Sequence, residues 1–217
     1  MVEVVSSPRA FDLAADRLAA MLDSIQGDRV RLAIPGGSAA AVAPAAVERL
    51  VRAGFDPARL ALTWVDERCV PSTSSESNRG AVRFDRALGH ELALYQDGET
   101  PADAVARVSA DLGEAFGGRI DVALLGLGED GHVASLFPGR PAPRGAVAHV
   151  PDSPKPPSDR ITLTAATLAT ARHTLVYALG EGKREALARL VAGDPALPAT
   201  GLPGLVVVTD LDLGENS

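Results

Sequence analysis

Four consecutive residues, Glu129-Asp130-Gly131-His132, put an imidazole within three positions of two carboxylates, and no other histidine of the chain is so placed. A histidine titrating near neutrality can take a proton from water, while a neighbouring carboxylate fixes its tautomer and stabilises its charged form. The tetrad follows an apolar run, Val122–Leu125, and the turn Gly126-Leu127-Gly128. A buried strand running into a polar, Gly-rich turn is how α/β proteins bring chemistry to the carboxyl edge of a sheet. A lone surface histidine in a polar turn is the plain alternative, but the apolar segment Val133–Phe137 after it argues that the turn is anchored.

Three further motifs have types and spacing that suit an anion. Pro35-Gly36-Gly37-Ser38 lies between a strand and a helix, where two glycines permit close backbone approach and the helix start offers free N–H groups. The same residues could make only a tight turn with Ser38 capping the helix. Asp66-Glu67-Arg68 ends a strand, and Ser77-Asn78-Arg79 follows a short loop later. Their guanidinium forks suit phosphate, although surface ion pairs would read alike. Gly180-Glu181-Gly182-Lys183 opens a helix with a lysine, which the helix dipole disfavours unless an anion is shared.

Gly126-Leu127-Gly128-Glu129-Asp130-Gly131 also matches the G-x-G-x-x-G of dinucleotide sites. His132 to Pro138 leaves little room for the long helix such a site needs, and no strand ends in an acid about 20 positions on. No dinucleotide is expected. His90, His149 and His173 have no metal-ligand spacing with one another, so no metal is assigned.

The elements that must position these groups alternate. Strands are expected at Glu3–Val5, Val30–Ile34, Leu60–Val65, Ile120–Leu125, Arg160–Leu163, Thr174–Ala178 and Leu205–Thr209. Helices are expected at Phe11–Ile25, Ala39–Arg52, Asn78–Leu88, Pro101–Phe116 and Lys183–Val191. Pro44 leaves the start of the second helix ambiguous. Thr100 reads as an N-cap with Pro101 at the first helical position. Pro138–Pro157 reads as an excursion loop. The pattern predicts an α/β fold, a mostly parallel sheet with helices on both faces, in one domain spanning residues 1–217.

Composition narrows the class. The chain has 217 residues, 46% hydrophobic and 23% charged, enough for one substantial core. A net charge of −7 argues against a nucleic-acid surface. One cysteine, Cys69, leaves no internal disulfide and fits a reducing cytosol. The N-terminus has no apolar signal core and no run approaches membrane-spanning length, so a soluble cytoplasmic protein is expected, with no membrane partner.

With these residues in view, the sequence resembles the family of 6-phosphogluconolactonases and glucosamine-6-phosphate isomerases. The likeness runs in order through the Gly-Gly-Ser turn, WVDERCVP at Trp64–Pro71, Ser77-Asn78, LLGLGEDGHVASLFPG at Leu124–Gly139, SPKPPSDRITLT at Ser153–Thr164 and Gly180-x-x-Lys183. GEDGH-x-ASLFPG is its specific element. The turn departs from the family's frequent Gly-Gly-(Ser/Arg)-Thr-Pro, because Ala39 and Ala40 follow Ser38 here, so one hydroxyl near a phosphate is missing.

The resemblance implies a Rossmann-like sheet without a dinucleotide, no cofactor, and a monomer. It implies hydrolysis of 6-phospho-D-glucono-1,5-lactone to 6-phospho-D-gluconate, in the oxidative pentose phosphate pathway. Phosphate would bind at Gly36, Gly37 and Ser38, near Asn78, with Arg68 and Lys183 complementing it and Arg79 and Arg160 as further candidates. His132 would act as general base on water, oriented by Asp130 or Asp66, with N–H groups of the Gly126–Gly131 turn facing the oxyanion. In the deaminases of the family, the segment after Asp-Gly-His continues to a carboxylate; here an aromatic residue falls there. Aminosugar-phosphate deamination or isomerisation, and a non-enzymatic sugar-phosphate sensor, are the rival readings.

Overall fold

In a computed structural model the described residues are 2–213. The strands in chain order are β1 (Glu3–Ser6), β2 (Val30–Ile34), β3 (Leu60–Trp64), β4 (Asp66–Arg68) and β5 (His90–Leu92), then β6 (Val122–Leu125), β7 (Val147–Val150), β8 (Arg160–Leu163), β9 (His173–Tyr177) and β10 (Leu205–Thr209). The helices are α1 (Ala10–Asp23), α2 (Val42–Arg52), α3 (Asn78–Ala81), α4 (Pro101–Glu114), α5 (Ala165–Leu168) and α6 (Arg184–Val191).

Seven strands form a parallel sheet in the order β1-β10-β9-β6-β2-β3-β5. From β2 the chain moves outward through β3, and from β6 it moves the other way through β9. The adjacent β2 and β6 therefore form a topological switch point, where α/β folds leave a crevice beyond the carboxyl ends of their strands. All residues of β3 and β6 are buried, so the sheet is covered on both faces at its centre. Val122, Leu124 and Leu125 are fully buried, each worth about 1.5–3 kcal/mol relative to exposure. The strand beneath the His132 turn is thus a fixed platform. No helix among the described residues is long and apolar enough to cross a membrane.

A smaller antiparallel sheet, β4-β8-β7, flanks the large one. Val65 joins them: its N–H donates to Ile34 O in the parallel sheet at 2.8 Å, and its carbonyl accepts from Leu163 N in the small sheet at 2.9 Å. The expected strand Leu60–Val65 therefore divides, and the chain enters β4 with Asp66, Glu67 and Arg68 facing Thr162, Ile161 and Arg160 of β8.

Several boundaries differ from the sequence pattern for local reasons. Ala39–Arg52 is not one helix. Gly37–Ala39 makes a single 3₁₀ turn and α2 begins at Val42, which places Pro44 in its first turn, where no N–H is needed. The helix expected over Asn78–Leu88 stops at Ala81, since Gly80 and the absence of an apolar stripe give it nothing to bury. The edge strand β5 is too short to show a period. The Pro138–Pro157 excursion contains β7, paired antiparallel with β8. The N-cap at Thr100 is present, its hydroxyl accepting from Asp103 N at 3.2 Å.

Candidate functional site

The turn after β6 is built around its glycines. Gly128 N donates to His132 O at 2.8 Å and Gly131 N to Gly128 O at 3.0 Å, closing a compact loop. Gly131 sits at φ +86, and a β-carbon there would meet Leu197 Cδ2 at 2.5 Å. Ala134, two residues past His132, holds φ +51, a left-handed conformation rare outside glycine. The loop carries His132 with Nδ1 2.5 Å from Asp130 Oδ1. Phe137 packs on the imidazole with ring centroids 4.9 Å apart.

Burial alone would raise the Asp130 carboxyl, but the hydrogen bonds and charge of His132, with the charge of Lys155, outweigh it and hold it below its ordinary value. An ionised Asp130 can only accept, so Nδ1 carries a proton, and in the neutral ring Nε2 is the nitrogen with the lone pair. Of the two carboxylates expected beside the ring, Asp130 is the one bonded to it. Asp66 is engaged elsewhere: Ser135 Oγ donates to it at 2.7 Å, Asn78 Nδ2 at 3.2 Å, and Arg160 Nη1 pairs with it at 3.5 Å.

His132 opens onto a cavity of about 340 Å³. Its lining brings together Gly36, Gly37 and Ser38 after β2, Asp66 and Arg68 on β4, Asn78 on α3, Arg160 on β8 and Lys183 before α6. These segments lie up to about 150 residues apart in sequence and meet at the switch point. The glycines of the first turn serve different ends. Gly36 makes room for Asn78, whose Oδ1 would lie 1.8 Å from a β-carbon there, and Gly37 supplies φ +64. The Ser38 hydroxyl caps no helix and is exposed at the cavity edge.

Arg79 is not brought to this cavity. Asn78 occupies the inward position of the short α3, and its neighbour turns away to pair with Glu91, Nε to Oε1 at 2.7 Å. Arg160 is buried, with Nε donating to Pro157 O at 3.0 Å and Nη2 to Lys155 O at 2.8 Å. Its burial pushes its pKa down and the Asp66 charge pulls it back, as expected of a guanidinium held within a polar network. Arg68 donates to Glu76 O at 2.5 Å, while its buried Nε has no partner.

Lys155 is a lining residue that pattern reading did not single out. The signal was its place in SPKPP, a segment counted toward the family resemblance but otherwise read as loop, with no role given to its lysine. In the turn expected to face an oxyanion, Gly128 and Gly131 spend their N–H groups inside the loop, and of the other four residues only Gly126 and Leu127 line the cavity. Burial and the charges of Asp159, Glu67 and Glu99 push the Cys69 thiol up to about 12, which disfavours its thiolate.

The description "Glucosamine-6-phosphate isomerases/6-phosphogluconolactonase" matches residues 7–207. The chain is 36% identical over 221 residues to 6-phosphogluconolactonase of Rattus norvegicus, an alignment covering 92% of this chain and 85% of the rat protein. The crystal structure of 6-phosphogluconolactonase from Thermotoga maritima superposes with a TM-score of 0.80 at 23% identity, covering 96% of this chain and 98% of that one. A monomeric glucosamine-6-phosphate deaminase superposes with a TM-score of 0.75 at 18% identity, covering 96% of each chain, so the fold by itself does not choose between the two chemistries. The family match over nearly the whole length, with the rat enzyme's identity, shows that this chain belongs to the glucosamine-6-phosphate isomerase/6-phosphogluconolactonase family.

Proposed function

We propose that this chain hydrolyses 6-phospho-D-glucono-1,5-lactone to 6-phospho-D-gluconate, the step that names its curated relatives. The observation that carries the reading is the His132–Asp130 pair, 2.5 Å apart, on the wall of a cavity lined by four basic side chains, Arg68, Lys155, Arg160 and Lys183, against one carboxylate, Asp66. That balance suits a phosphate dianion on a chain whose net charge is −7. Phe137, which packs on the imidazole, stands in the segment where the resemblance puts the ring-opening carboxylate of a deaminase.

In this mechanism the phosphate rests against Gly36, Gly37 and Ser38 with Arg68 and Lys183, and Asn78 and Arg160 hold the wall between them. His132 Nε2 takes a proton from water as the water oxygen bonds to the lactone carbonyl carbon. Asp130 stabilises the imidazolium, and the Gly126–Leu127 backbone faces the oxyanion. The tetrahedral intermediate expels the ring oxygen, which takes the proton back from Nε2, and the new carboxylic acid ionises. No step calls for a cofactor. On this reading the chain works as one domain, a cytoplasmic monomer.

The test generates the lactone in situ from glucose 6-phosphate with its dehydrogenase and follows 6-phosphogluconate formation. Wild type accelerates the reaction above the spontaneous rate, and His132→Ala loses about 10²–10⁴-fold while melting as wild type does. Equal rates for the two would remove His132 from the base role. No acceleration, with ammonia released from glucosamine 6-phosphate, would replace the reading with deamination.

A further inference from the structure

A second cavity, of about 570 Å³, shares no lining residue with the one that holds His132. It lies beside β3, walled by Trp64 and by the irregular segment after α3. Three guanidinium groups, Arg79, Arg83 and Arg86, line it with one carboxylate, Glu91. Glu91 is taken by Arg79 Nε, and the terminal nitrogens of that fork have no partner among the described residues. Among the described residues Arg83 donates only to a backbone carbonyl, Val82 O at 2.9 Å. Arg86 has no hydrogen-bond or ion-pair partner among the described residues. Two arginines are thus uncommitted to any carboxylate, on a chain with an excess of acid.

The remaining wall is apolar, with Val82, Phe84 and Leu88. Trp64 forms part of the same wall and is 2% exposed, its indole nitrogen closed off from the cavity. Convergent donors around an apolar pocket of this size are the usual make-up of a small-molecule site.

We propose that this cavity binds a phosphomonoester dianion carried on an aromatic or aliphatic group, at a site separate from the one containing His132. The forks of Arg83 and Arg86 match the oxygens of a phosphate bidentately. The organic group lies against Phe84 and Leu88. Nothing in this depends on the lactonase reading, since no residue is shared.

Trp64 is the only tryptophan of the chain, so its emission reports occupancy directly. The probe is phenyl phosphate, titrated into the intact protein, with calorimetry on the same mixtures. The expected result is a saturable change in both signals, weakened at least 10-fold in the Arg83→Gln/Arg86→Gln double variant and unaffected in Lys183→Ala. Inorganic phosphate binds at least 10-fold more weakly than phenyl phosphate. No saturable signal in either measurement overturns the proposal. So does a response lost in Lys183→Ala but kept in the arginine double variant, which would put the anion in the His132 cavity. Equal affinity for inorganic and phenyl phosphate removes the apolar wall from the site and overturns it as stated.

Discussion

A β-carbon on Gly128 would lie 2.0 Å from His132 Nδ1 and 2.4 Å from Asp130 Oδ1. The absent side chain is what lets the ring and the carboxylate close on each other beside the backbone of their own loop. Gly128 holds no left-handed conformation, so it is needed here for space alone. Gly128→Ala is therefore expected to push the imidazole off its partner. Lactone turnover falls on the order of 10²-fold, the scale of misplacing a catalytic group by about 1 Å. The melting temperature changes little, because the ring can swing toward the cavity. Turnover at the wild-type rate would show that the pair need not be held this closely.

Asp130→Asn separates orientation from charge. An amide can offer Nδ2 to Nδ1, which leaves the proton on Nε2 and removes the lone pair a base requires. Turnover should drop about 10²-fold or more. The carboxyl titrates below its ordinary 3.8 in the folded chain, so it contributes stability above that value and loses it as pH falls through the lower, folded pKa. The stability difference between wild type and the variant is then largest at neutral pH and vanishes in strong acid. A difference that persists unchanged in acid would place the effect in packing instead.

Much of this site was legible in the sequence, and the part that was not has physical causes. His132, Asp130 and the glycine turn were visible because a buried strand ending in small polar residues has few other uses. The central strands were visible because parallel strands buried on both faces read as plain apolar runs. Arg79 was misplaced because spacing cannot say which side of a four-residue helix faces a cavity. The division of Leu60–Val65 was hidden because a residue shared by two sheets, as Val65 is, has no signature in composition. Lys155 was hidden because proline-rich sequence reads as loop, whatever wall that loop completes.

Lys155 gives the next prediction. Its charge helps hold the Asp130 carboxyl down, and its side chain makes no hydrogen bond or ion pair among the described residues, as befits a group kept for a ligand. Lys155→Ala should raise KM for the lactone about 10-fold with a smaller change in kcat, the signature of lost binding common to ground and transition states. Steady-state rates over a range of in situ lactone concentrations check it. An unchanged KM would show that the cation faces solvent and not substrate.

Glu67 shows how the loop that carries Asn78 is held. Its carboxylate accepts from Arg68 N at 2.7 Å, Asn78 N at 2.8 Å, Arg79 N at 2.7 Å and Ser77 Oγ at 3.1 Å, all in a nearly water-free position. Each donor left unpaired in such a place costs about 1–3 kcal/mol. Glu67→Ala strands three backbone N–H groups at once, so a loss of more than about 3 kcal/mol is expected in urea unfolding at neutral pH. Burial nevertheless raises this carboxyl above its ordinary 4.5, and the four donors only partly pull it back. A raised acid contributes stability that is complete below the unfolded value and is lost as pH rises through the folded one. Wild type should accordingly gain a component of stability on acidification from neutral pH toward about 4.5, and Glu67→Ala should lack it. Parallel pH profiles for the two proteins would mean that the donors, not burial, govern Glu67. A neutral-pH loss under about 1 kcal/mol would mean that water reaches the stranded amides.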